Sequence, residues 1–266
     1  TLNIALAGTG VGKSLFMCHL ASSYLLQGLN VLYITLEMAE ERIAERIDAN
    51  LLDVTMEDLH DMPQQLYEGK ITKLREKTQG QLVIKEYPTA SAHSGHFKSL
   101  MNELALKKSF RPDVIFIDYL NICASSRFKG GNISSYFYVK AIAEELRGLA
   151  VEFNVPIFSA TQTTRTGYVS TDIGLEDTSE SFGLPATADF MFALISNEEL
   201  EALGQMKVKQ LKNRYNDPSV NRAFIVGVDR SKMRLYDVQQ KAGDIVDANQ
   251  VDEKEDAYNK FSDFKI

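Results

Sequence analysis

Cysteine is scarce in this chain of 266 residues: only Cys18 and Cys123 occur, far apart and without metal-ligand spacing. That pattern excludes a disulfide-stapled scaffold and a cysteine-ligated zinc site, and reads as two buried, reduced thiols. The four histidines are scattered and offer no metal constellation either. Also missing is any apolar run of the roughly 18–20 residues that a membrane-spanning helix needs, and there is no leader-like segment. No methionine opens the chain. Thr1 leads straight into an apolar strand, which reads as a fragment whose upstream domain is absent.

Positive charge is not in excess: the formal net charge is −7. The deficit is local, however. From Asp244 onward seven acids face three lysines, a net of −4 that leaves only −3 on the rest. A locally basic channel is compatible with that balance, so net charge does not exclude a nucleic-acid partner.

What is present is an alternation of short apolar runs with helical patterns, which predicts βαβ units and a mainly parallel sheet. Strands are expected at Asn3–Ala7, Val31–Leu36, Leu82–Glu86, Val114–Ile117 and Pro156–Ala160. Helices are expected at 12–27, with Gly28 as cap, and at Ala39–Leu52, Phe97–Lys108 and Ser135–Phe153; a polar helical stretch runs to Gly80. A long polar segment, Thr161–Pro185, precedes strands at Ala188–Ile195, Lys207–Lys212, Ala223–Val228 and Arg234–Val238, the last three antiparallel. The folded unit is expected over residues 1–242, and 243–266 reads as a mobile acidic tail.

Ala7-Gly8-Thr9-Gly10-Val11-Gly12-Lys13-Ser14 fits the Walker A pattern, placed between a strand and a helix as its chemistry requires. Glycines let backbone N–H groups curl around phosphates at a helix N-terminus. Lys13 supplies a point charge, and the Ser14 hydroxyl a ligand for Mg²⁺. ATP or another nucleoside triphosphate with Mg²⁺ is therefore the expected ligand pair. Val114-Ile115-Phe116-Ile117-Asp118 is an apolar strand ending in a carboxylate, a Walker B-like element in which Asp118 would hold Mg²⁺, partly through water. Glu37 closes Ile34-Thr35-Leu36-Glu37 in the same manner. By position it serves equally as a base for water or as a helix-start glutamate.

Leu36-Glu37-Met38, Asp118-Tyr119 and Thr161-Gln162, in that order, resemble the ATPase domain of DnaB-type hexameric replicative DNA helicases, most closely those of large tailed phages. The likeness spans about Thr1–Val238. Its more specific marks are Arg46, nine residues after Glu37, and the late Lys212-Asn213-Arg214. It implies an α/β fold of the RecA-like P-loop NTPase type, with a mainly parallel central sheet flanked by helices and antiparallel strands near the C-terminus. Glu37 would then be the catalytic base, Gln162 a sensor of the γ-phosphate, and Lys212 and Arg214 residues acting in trans on a neighbouring subunit's site, Arg214 as an arginine finger. The alternative is that Lys207, Lys209, Lys212 and Arg214 are merely the solvated face of an edge strand.

The resemblance also implies an ATP-driven motor on single-stranded DNA, homo-hexameric in the full-length protein, with primase, helicase loader or polymerase as partners and no membrane. Its setting would be the cytoplasm of a bacterial or phage-infected cell. DNA would be met by loops 124–135 and 163–185, through Arg127, Lys129, Gly130, Arg165, Glu180, Ser181, Phe182 and Gly183. The Arg-Glu-Ser-Gly-like stretch of the cellular enzymes reads Ser179-Glu180-Ser181-Phe182-Gly183 here, without the arginine, and solvated loop describes these residues as well. Two other classes remain compatible with the residues: a RecA-like recombination or repair ATPase that forms filaments, and a P-loop regulatory protein.

Overall fold

The computed structural model describes residues 1–128, 133–164, 173–178, 183–217 and 220–239. The acidic segment expected to be a mobile tail lies outside them. Among the described residues nine strands form one sheet: β1 (Leu2–Ala7), β2 (Val31–Thr35), β3 (Leu82–Glu86), β4 (Val114–Asp118), β5 (Ile157–Gln162), β6 (Phe190–Ile195), β7 (Gln205–Asn213), β8 (Ala223–Asp229) and β9 (Arg234–Asp237). Their spatial order is β3-β2-β4-β5-β1-β6-β7-β8-β9. The first six in that order run parallel, and β7, β8 and β9 add antiparallel pairings. The helices are α1 (Lys13–Leu26), α2 (Glu40–Leu52), α3 (Met56–His60), α4 (Gln64–Lys77), α5 (Ser94–Lys108), α6 (Ser135–Phe153), α7 (Gly183–Thr187) and α8 (Glu198–Ala202).

Strand alternation divides the core between the two faces of the sheet. Leu2, Ile4, Leu32, Ile34, Ile115 and Ile117 pack with Phe97, Met101 and Leu104 of α5 and with Ile142, Leu146 and Leu149 of α6. The intervening residues Ala5, Ala7, Val31, Tyr33, Val114 and Phe116 pack with Met17, Cys18, Ala21 and Leu25 of α1 and with Ile43 and Ile47 of α2. Covered on both faces, β2 and β4 are buried throughout, which is why they read as continuous apolar runs. Gly28 at φ +83° and Asn154 at φ +53° turn the chain out of α1 and α6 in the left-handed conformation these residue types tolerate.

Several boundaries differ from expectation for identifiable reasons. β5 runs on through the polar Thr161 and Gln162 because β1 pairs with it up to Ala7↔Gln162. The polar helical stretch divides at Met62-Pro63 into α3 and α4. Helix α5 begins three residues early, where the His93 ring accepts the Gly95 N–H at 3.0 Å. The short α8 was not expected at all; the Asn197 side chain starts it by accepting the Leu200 N–H at 2.8 Å.

Candidate active site

β1 passes from the buried Ala7 into the glycine loop at the carboxyl edge of the sheet, where ligands of open α/β folds gather. Gly10 at φ +80° and Gly12 at φ +124° shape that loop, and a side chain at Gly12 would also press on the Met206 methyl at 3.3 Å. Helix α1 then begins without a side-chain cap and without an acidic residue in its first turn. Its opening N–H groups are thus available, and a lysine stands where the helix dipole disfavours a cation. An anion at that point resolves both features. Lys13 Nζ lies 3.2 Å from the Gly8 carbonyl and 5.9 Å from the centre of the Tyr119 ring. Burial lowers its pKa, and the charges of Glu37 and Asp118 oppose that shift.

Asp118 ends β4 completely buried. Its Oδ2 accepts the Tyr33 hydroxyl at 3.0 Å, while Oδ1 has no hydrogen-bond partner among the described residues. Burial raises the carboxyl pKa and the charge of Glu37 adds to this, against Ser14, Tyr33 and the charge of Arg46. A buried carboxylate with one open oxygen beside the Ser14 hydroxyl is a donor set suited to a hard divalent cation such as Mg²⁺. Asp118 and Ser14 therefore fit that ion, although no cluster of three His, Cys, Asp or Glu side chains occurs among the described residues.

Glu37 is exposed, two residues past β2, in a turn fixed on all sides. Leu36 N–H donates to the Asp118 carbonyl at 2.9 Å, Met38 N–H to Thr35 Oγ1 at 3.1 Å, and Thr89 Oγ1 to the Leu36 carbonyl at 2.7 Å. Gln162, level with Ala7, donates through Nε2 to the Tyr119 hydroxyl at 3.1 Å. Lys13, Glu37, Asp118 and Gln162 thus share the carboxyl edge of the sheet, and Tyr119 links Gln162 to Lys13.

Lys212 and Arg214 stand at the other edge. Lys212 pairs with Met191, which pairs with Ile4, and Arg214 N–H donates to the Asp189 carbonyl at 2.9 Å. Asp189 N–H in turn donates to the Leu2 carbonyl, so Arg214 is level with the start of β1. The length of β1, roughly 17 Å at strand spacing, separates that level from the glycine loop. Here Lys212 Nζ donates to the Pro185 and Ala186 carbonyls, and Arg214 Nη2 to the Ala186 carbonyl at 3.1 Å. Arg214 Nε also pairs with Asp189 Oδ1 at 2.9 Å.

Of the expected DNA contacts, Arg127 is half-exposed and paired with Glu144 on α6. Gly183 opens α7 in a buried position under the Lys140 stem. Lys129, Gly130, Arg165, Glu180, Ser181 and Phe182 lie outside the described residues.

Comparison with known proteins gives the family of the chain. Residues 1–233 match the DnaB-like helicase C terminal domain. This chain belongs to the DnaB-like helicase C-terminal domain family. A DnaB-like replicative helicase of Enterobacteria phage T4 is 45% identical over 268 residues, covering 98% of this chain and 56% of the relative. A probable plasmid replicative DNA helicase of Chlamydia trachomatis is 32% identical over 168 residues, covering 61% of this chain and 35% of the relative. The chain therefore spans about half or less of these curated relatives. Among solved structures, an ATPase domain has a TM-score of 0.73 at 16% identity, with 90% of this chain and 84% of that one covered. A DnaB-like replicative helicase solved for its interactions with primase has a TM-score of 0.72 at 16% identity, covering 90% of this chain and 57% of that one. These likenesses carry the fold: a RecA-like sheet of the DnaB-like type, mostly parallel with antiparallel strands at its C-terminal end. Use of a nucleotide follows from the ATPase domain shared by the family. Among the described residues no helix is long and apolar enough to cross a membrane.

Three participants escaped the sequence reading. Tyr33, inside an apolar strand, reads as core and gives no sign that its hydroxyl holds Asp118. Arg230, in the turn after β8, reaches the Gly10 and Val11 carbonyls at 3.5 and 3.3 Å across more than two hundred residues of chain. Asp189 carries no motif, and only the register of β1, β6 and β7 brings Arg214 to it.

Proposed function

We propose that this domain is the ATP-hydrolysing motor of a ring-shaped replicative helicase, a homo-hexamer in the full-length protein, which moves along single-stranded DNA and displaces the paired strand. The loop amides of 8–13 and the Lys13 ammonium hold the β- and γ-phosphates. Ser14 and Asp118 would hold Mg²⁺, which would supply neutralising positive charge to the phosphates. Glu37 accepts the proton of the attacking water, and Gln162 senses the γ-phosphate at the end of β5. Lys212 and Arg214 complete a neighbour's site, where the guanidinium neutralises charge on the transferring phosphoryl group.

One observation carries this reading. Lys13, Glu37, Asp118 and Gln162 share one edge of the sheet, while Arg214 sits a strand length away at the other and Lys212, level with Ile4, is bonded toward that same edge at Pro185 and Ala186. Head-to-tail packing of copies brings such opposite edges together, and it makes a ring where the rotation between neighbours closes. Loops 124–135 and 163–185 then face the DNA, with Arg127, Lys129, Gly130, Arg165 and 180–183 as its contacts. The folded motor is assigned to residues 1–242, with the acidic segment 243–266 outside it. Primase, a loader or a polymerase are the partners of the whole protein, in the cytoplasm of a bacterial or phage-infected cell.

The test is ATP turnover by the full-length protein with and without single-stranded DNA. Wild type is expected to be stimulated at least about tenfold. Glu37→Gln should bind ATP normally and lose about 100-fold or more of that turnover, in the range removal of a general base gives. Turnover indifferent to DNA, or undiminished in Glu37→Gln, would refute the reading.

A further inference from the structure

Asp189 is 1% exposed and carries an unusual load. Its Oδ2 accepts the Leu2 N–H at 3.0 Å. Arg147 of α6 grips both oxygens, with Nε at 3.1 and 3.2 Å and Nη2 at 3.0 Å from Oδ1. Arg214 Nε adds its contact to Oδ1 at 2.9 Å. One buried carboxylate thus holds two guanidinium groups, both partly open to solvent. Burial pushes the Asp189 pKa up, but the bonds from Arg147 and Leu2 and the charges of both arginines outweigh it and hold the group below the usual carboxylate range. Arg214 is fastened further by the carbonyls at the C-terminal end of α7, from Ala186 to Ala188, where the helix dipole attracts cations.

A residue that acts on a neighbour must leave this berth. Departure of the last cation from a buried carboxylate is strongly unfavourable, whereas departure of one of two is not. We propose that Arg147 is a positioning residue, the standing counter-ion that keeps Asp189 paired so that Arg214 can extend to the γ-phosphate of the adjoining subunit's nucleotide. The proposal rests on the trans reading of Arg214. Arg147 itself touches no nucleotide: its bidentate grip faces Asp189, and its guanidinium gives Arg214 a like-charged neighbour that eases release. Lys212 feels the same cluster, its pKa lowered by burial and by the charges of Arg214 and Arg147 against the pull of Asp189.

Arg147→Gln removes the second counter-ion and leaves Arg214 as the one guanidinium bonded to Asp189 among the described residues. In the full-length protein it should lower kcat for ATP about tenfold while KM and nucleotide affinity stay within about twofold. Arg147→Lys, which keeps the charge, should recover most of the turnover. Mixing decides between an effect through Arg214 and an effect on the variant's own fold. Lys13→Ala subunits lack a working phosphate loop but carry intact Arg147 and Arg214. Added to Arg147→Gln, they should raise turnover per intact loop, because the neighbour then supplies a releasable arginine. Unchanged kcat in Arg147→Gln would overturn the proposal. So would a loss that Lys13→Ala subunits do not relieve while they do relieve Arg214→Ala, which would make Arg147 a fold residue only. If Arg214→Ala is not relieved either, the trans reading itself fails and this proposal with it.

Discussion

Gly12 shows how a single residue decides whether the loop forms. At φ +124° an L-residue is strained whatever the space around it, and its Cβ would also press on Met206. Gly12→Ala is expected to weaken binding of a fluorescent ATP analogue at least about tenfold, as loss of one or more phosphate-facing amides implies. Binding within twofold of wild type would show that the loop does not depend on that conformation. Asp118 is the complementary case, legible as a type of residue but not in its state. An acid at the end of an apolar strand announces itself. That its Oδ2 is tied to Tyr33 and its Oδ1 left open follows only from packing β2 beside β4. Glu37 likewise gave two equal readings by position. Its turn is fixed by Thr35, Thr89 and the Asp118 carbonyl, and the last two contacts span fifty-three and eighty-two residues of chain and have no local signature.

At the scale of elements, the strands buried on both faces were readable because covering a sheet twice demands uninterrupted apolar runs. The ends of β5 and β7 were not, because there the register of a neighbour outweighs local polarity and draws Gln162 and Asn213 into the sheet. The short α8 rests on one capping side chain, too small a signal to stand out from a loop. Seams between elements are less visible still. His19 of α1 accepts the Leu235 N–H of β9 at 3.4 Å and stands 3.1 Å from Asn50 Nδ2 of α2, joining three elements through one neutral ring nitrogen. Burial and the charge of Arg234 lower its pKa from 6.5. The unfolded chain therefore takes up a proton first as pH falls. The contribution of His19 is complete above about pH 6.5 and is lost as pH drops through the folded-state value. Thermal unfolding midpoints should fall on acidification below that pH, and His19→Gln should flatten the fall. An identical slope in the variant would remove His19 from the explanation.

For the molecule as a whole, the glycine loop alone promises no more than phosphate binding. Lys13, Glu37, Asp118 and Gln162, grouped at one edge, form half of a hydrolytic site on the proposed reading. The antiparallel course of β7 carries Arg214 to the other edge, away from the glycine loop of its own chain. The family resemblance singles out Lys212 and Arg214, but only the strand order and register show where they stand relative to the loop. The most direct test is complementation between two variants of the full-length protein, each inactive alone: Lys13→Ala, with a disabled loop, and Arg214→Ala, with a missing finger. In a random equal mixture about a quarter of the junctions in a head-to-tail ring join an intact loop to an intact arginine. The account predicts that ATP turnover reappears at up to that fraction of wild type. A mixture as inactive as its components, with rings shown to contain both subunits, would contradict a nucleotide site shared between neighbours.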